Sequence, residues 1–118
     1  MRLSSKHIVI FLLMMVNCSL LSAQELEFLF NQKAYNQIEN FCDKKVELGT
    51  MNQVDYFWFS LSLEQLEKPY KNLKLLQMGS QQFSTDTTLK ELLAFAYYEM
   101  GNYKMASPLL AEFNSFES

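Results

Sequence analysis

The chain has 118 residues, with 10 basic and 13 acidic side chains and a net charge of −3. That length favours a single domain, and 49% hydrophobic against 19% charged residues excludes a disordered acidic tail or a highly charged coiled coil. With three glycines and two prolines, the chain lacks the turn residues of an all-β protein, so helices are favoured.

Residues 1–23 read as an export signal. Arg2 and Lys6 give a positive start, Ile8 to Val16 is an uncharged apolar run, and Ser22-Ala23 closes a more polar exit. The run is shorter than the roughly 20 residues of a spanning helix, and cleavage after Ala23 is expected. A second possibility is a membrane-anchored chain, held by an uncleaved signal or by acylation of Cys18, although Asn17 stands where a lipidation motif wants a small residue. In residues 24–118, eight lysines face 13 acids, which argues against nucleic acid as a partner. Cys42 is the one thiol there, so no internal disulfide forms.

Apolar spacing then gives helices over 24–30, 34–48, 53–67, 69–83, 87–100 and 103–116. Tyr56, Phe59, Leu63 and Leu66 form one helical stripe. Leu73, Leu76, Ser80 and Phe83 form a second, and Leu93, Tyr97 and Met100 a third. Gly49 reads as a left-handed cap, Thr50 or Asn52 as the next helix start, Pro69 as a first-turn proline and Thr85 or Asp86 as a cap. Gly101-Asn102 closes one helix and opens the next, which Pro108 should kink or shorten.

Three segments align on a tyrosine: Lys33-Ala-Tyr35-Asn-Gln-Ile38, Lys68-Pro-Tyr70-Lys-Asn-Leu73 and Gly101-Asn-Tyr103-Lys-Met-Ala106. The tyrosines are 35 and 33 residues apart, a mean of 34. Within the third copy, Leu93-Ala94-x2-Tyr97 precedes Ala106-x3-Leu110; the second reads Tyr56-x2-Phe59-Ser60-x2-Leu63, then Leu73 after a turn one residue longer. Here the chain resembles the tetratricopeptide repeat family, with Lys90 in place of an aromatic residue. The resemblance implies an all-α, right-handed helical-hairpin solenoid of about two and a half to three copies, near 24–50, 51–85 and 86–118.

In that family the first helix of each pair lines a concave, peptide-binding face. By position this implies Phe57, Leu61 and Glu64 from copy two and Glu91, Phe95, Tyr98 and Glu99 from copy three, with Trp58 joining if the register slips by one. A carboxylate clamp of Lys and Asn has no counterpart at these positions, and an apolar or mildly basic segment fits better. Catalysis is not expected: residues 24–118 hold no His, and Cys42 falls at a core position. Zinc lacks ligands and calcium lacks an acidic glycine loop, so neither metal nor cofactor is expected. Glu64 and Glu67 read as partners of Lys68 and Lys71 on a solvated face, not as an acid–base couple. Together these readings give an exported, periplasmic or secreted, non-enzymatic binding or scaffold module. Leu109, Leu110, Phe113 and Phe116 leave its last helix apolar, so self-association or docking of a protein there is expected.

Overall fold

The computed structural model describes residues 22–114. They form six helices: α1 (Ala23–Asn31), α2 (Tyr35–Leu48), α3 (Gln53–Gln65), α4 (Pro69–Gln82), α5 (Thr87–Glu99) and α6 (Tyr103–Asn114). Each helix packs on the next in sequence, and α1 meets α3 as α3 meets α5. The result is three helical hairpins side by side, with the first helices of the hairpins adjacent to one another. The apolar run Ile8–Val16 and Cys18 lie outside the described residues, and the bond after Ala23 falls in the first turn of α1.

Local chemistry sets the ends. Asn52 and Asp55 form a reciprocal capping box on α3, so Asn52 and not Thr50 is the cap. Asp86 caps α5, Pro69 starts α4, and Gly49 ends α2 at φ 67°. Asn102 Oδ1 accepts from the Met105 amide at the start of α6, and α6 runs from Tyr103 through Pro108.

The three turns inside the hairpins are copies of one another. Lys33, Glu67 and Gly101 are left-handed at φ 60°, 57° and 77°, and they stand 34 residues apart (33 to 67, 67 to 101). After each, an amide reaches back into the preceding helix: Ala34 to the Leu29 carbonyl at 2.9 Å, Lys68 to Leu63 at 3.0 Å and Asn102 to Tyr97 at 2.9 Å. This is the six-to-one bond that ends a helix when the chain turns left-handed. All three turns therefore have one length, and the longer turn expected at Lys68-Pro69 is not present. Pro69, not Tyr70, is the counterpart of Tyr35 and Tyr103.

That register relabels the core. Leu26, Ser60 and Ala94 are equivalent and fully buried, and so are Ile38, Asn72 and Ala106 apart from 3% of Asn72. The buried line of α4 is thus Asn72, Leu75, Leu76 and Gly79; it keeps Leu76 of the expected stripe but has Asn72 and Gly79 where Leu73 and Ser80 were expected. Of the tyrosines that carry the alignment, Tyr70 and Tyr103 are 72% and 57% exposed. Phe59, Leu63, Leu76 and Leu89 are buried among the hairpins, each contributing about 1.5–3 kcal/mol. A close approach joins α3 to α4: a Cβ on Gly79 would stand 2.9 Å from the Tyr56 ring, while the Tyr56 hydroxyl donates to Gln82 at 2.9 Å.

The α2–α3 joint is polar and buried. Lys45 Nζ lies 2.9 Å from Asp55 Oδ2 with both side chains nearly closed to solvent. The same oxygen accepts from the Asn52 amide at 3.0 Å, so one carboxylate completes the cap and neutralises the lysine. A buried pair of this kind is costly to break because the remaining ion has no partner.

Left-handed backbone strains any residue with a Cβ by about 1–2 kcal/mol. Lys33→Gly and Glu67→Gly should each raise stability by about 0.5–1 kcal/mol, after the entropic cost of glycine. Gly101→Ala should lower it by about 1 kcal/mol. Urea midpoints of the three variants at constant slope test this.

Candidate functional site

The first helices place two stripes side by side. On α3 the positions Phe57, Leu61 and Glu64 recur at helical spacing, and on α5 so do Glu91, Phe95, Tyr98 and Glu99. Because α3 packs directly on α5, the two stripes share a surface, and Glu64 and Glu99 line one hollow of about 280 Å³ with Glu67, Lys68 and Pro69. Burial at its rim pushes the Glu64 carboxyl above its usual value, and the Glu99 charge adds to the rise.

Most of the surface residues expected from sequence are open to solvent. Phe95 is 47% exposed and Tyr98 54%, while Glu64, Glu91 and Glu99 are also exposed and Leu61 is half-buried. Phe57 is half-buried and lines a smaller hollow with Val54, Asp86 and Leu89. Trp58 turns elsewhere. Its ring lies 5.3 Å from that of Phe30 on α1 and 5.0 Å from that of Phe57, so it is packed between helices. Sequence position alone missed Tyr103, whose ring meets Tyr98 edge-on at 5.2 Å. The signal was present in the turn: with α5 ending at Glu99 and α6 starting at Tyr103, a tyrosine on each side of a tight turn comes together.

Most of the remaining repeat-marking residues are buried. Tyr35 is half-buried against Phe30 at 5.2 Å. Ile38, Ser60, Leu63, Leu93, Ala94, Tyr97 and Ala106 are buried, Leu73 is half-buried, and Gly101 is the turn.

The lysines near Glu64 and Glu67 have other partners. Lys68 reaches Glu39 on α2 at 2.7 Å, and Lys71 bridges Glu39 and Asp43, each at 2.9 Å. The expected pairing four residues apart fails because α3 ends at Gln65, so Glu67 and Lys68 leave the helix before that geometry exists. Burial pushes the Glu39 carboxyl up, but the hydrogen bonds from Lys68 and Lys71 outweigh it and hold the carboxyl below 4.5. Neither Glu64 nor Glu99 has an ion-pair partner among the described residues.

Cys42 is buried, and desolvation, aided by the Asp55 charge, pushes its thiol up to about 12, which leaves it unreactive at neutral pH. Among the described residues no cluster of three His, Cys, Asp or Glu could hold a metal ion, and no helix is long and apolar enough to cross a membrane. Comparison with family models, with curated proteins and with solved structures gives no match to this chain.

The Glu39 ion pairs make stability depend on pH. A carboxyl held low in the fold adds stability above its unfolded value and loses it as pH falls through the folded value. The wild type should therefore exceed Glu39→Gln in stability at neutral pH, and the gap should close on acidification below 4.5. Thermal melts of both chains across that range measure it.

Proposed function

We propose that this chain is a tetratricopeptide-like, right-handed helical-hairpin solenoid that acts as a non-enzymatic protein-binding module in the bacterial periplasm or outside the cell. Its face of first helices accepts a partner peptide or docks a subunit. One observation carries the reading: the left-handed residues at 33, 67 and 101 repeat at the family's 34-residue period, in backbone geometry and not merely in residue type. A repeated hairpin aligns equivalent side chains into a continuous surface. On that surface Phe95 and Tyr98 are about half exposed, and exposed aromatic residues are the usual anchors of binding.

A second reading keeps the N-terminus on the chain as a membrane anchor. Ser22 favours it: its hydroxyl accepts from the Glu25 amide at 3.3 Å and caps α1. Cleavage after Ala23 would remove that cap, typically worth about 1 kcal/mol, whereas an uncleaved signal or acylation at Cys18 would retain it. Intact mass of the protein recovered from the cell envelope separates these cases. A chain beginning at Gln24 removes the anchor, and an acylated chain beginning at Cys18 or an unprocessed one supports it.

For the binding face, the full chain and a Phe95→Ala/Tyr98→Ala variant are used to capture partners from envelope extract. The variant should melt as the wild type does and lose the partner, while Trp58→Ala should cost about 2 kcal/mol of stability, less than a fully buried ring would. Equal recovery by the double variant would refute the assignment of the face.

A further inference from the structure

The charges of the fold are sorted by layer. Among the lysines within helices, Lys44, Lys45, Lys71, Lys74 and Lys104 belong to α2, α4 and α6, whereas α1, α3 and α5 carry only Lys90. The 34-residue register extends the face of first helices to α1, where Glu27 matches Leu61 and Phe95. The charges on that face are Glu27, Glu64, Glu91 and Glu99, and no lysine occupies an equivalent position. Every acidic side chain there is exposed. Elsewhere Glu39, Asp43 and Asp55 are engaged by lysines, while Glu47 and Glu67 are exposed and form no ion pair among the described residues.

The aromatic residues beside those carboxylates add to the pattern. Phe95 follows Glu91 by four residues and precedes Glu99 by four, so both carboxylates flank its ring. Tyr98 is fixed edge-on against Tyr103, and its free face is open. Ring faces and carboxylates together accept a cation and its alkyl stem, since a lysine or arginine lies over an aromatic ring while its head group meets an acid. An anionic partner would meet four unneutralised acids.

We infer that this face takes a basic protein segment, one that sets lysine or arginine side chains against Glu64 and Glu99 and an apolar side chain against Phe95 and Tyr98. The inference rests on the binding face proposed above and names its partner's chemistry. Crowding of Glu64 by Glu99 supports it, because a cation placed between them relieves that repulsion.

A random-peptide phage library panned against the full chain tests it. Recovered peptides should be net basic and carry aromatic or aliphatic residues. When synthesised, they should bind Glu64→Gln/Glu99→Gln about tenfold more weakly than wild type, with a flatter dependence on salt. They should not bind Phe95→Ala/Tyr98→Ala. Acidic or uncharged peptides that still lose binding to the aromatic double variant would overturn the basic partner and leave the face standing. Peptides indifferent to Phe95 and Tyr98, or no enrichment over the starting library, would overturn both. Thermal melts matching wild type show that the variants are folded.

Discussion

A left-handed residue placed two positions beyond the end of each first helix is the constraint on which the rest of the structure depends. Once Lys33, Glu67 and Gly101 adopt positive φ, the next amide returns to the helix just left, and the second helix must start two residues later. All three hairpins then close with the same geometry. Equal hairpins present equal flanks, so Leu26, Ser60 and Ala94 become buried at one equivalent position and Ile38, Asn72 and Ala106 at another. Were one turn a residue longer, its second helix would rotate by about 100° and carry a different stripe into the core. The energetic cost of placing two side chains with Cβ atoms in left-handed backbone is thus offset by packing that none of the hairpins could achieve alone.

The same register divides the polar chemistry between two sides. Adjacent first helices pack directly on one another, α1 on α3 and α3 on α5. The second helices α2 and α4 are instead joined by long side chains, Lys68 and Lys71 reaching Glu39 and Asp43. Lys68 and Lys71 are thus consumed between α2 and the start of α4, and Lys45 at the α2–α3 joint. On the first helices Asp55 is paired with Lys45, whereas Glu64, Glu91 and Glu99, beside exposed rings, have no ion-pair partner among the described residues.

Helix type and extent were legible from sequence because their punctuation is local. Gly49, Pro69 and Asp86 act within one turn of themselves, and each stands where its chemistry places it. The exact repeat register was harder to read. Only one of the three left-handed residues is a glycine; Lys33 and Glu67 carry no mark of that conformation. Tyr70 then draws the middle copy out of line by one residue, since it resembles Tyr35 and Tyr103 in type while Pro69 matches them in place. The candidate face, with Phe95, Tyr98 and the carboxylates, was named by position from the repeat resemblance, and the exposure of these residues agrees with it. The direction of Trp58 was not legible, because it depends on Phe30 in another hairpin, and no spacing within α3 encodes that neighbour.

The middle hairpin shows what the repeated geometry costs. Where its neighbours bury Leu26 and Ala94, it buries Ser60, and where they bury Ile38 and Ala106, it buries Asn72. Among the described residues Ser60 Oγ and Asn72 Oδ1 find no hydrogen-bond partner, and neither does Ser80 Oγ on α4. Each such atom costs about 1–3 kcal/mol, comparable to what a buried leucine returns. The middle pair is then held less by its own interface than by what surrounds it: Asp55 fixed to Lys45 at one joint, the Tyr56 ring seated on Gly79, and Trp58 clamped by Phe30. Its place between the other two makes that tolerable, since among the described residues it has a hairpin on each side. Polar atoms that would destabilise an outer hairpin are carried at the position with the most neighbours, and the flanking hairpins supply the apolar contact that Ser60 and Asn72 do not.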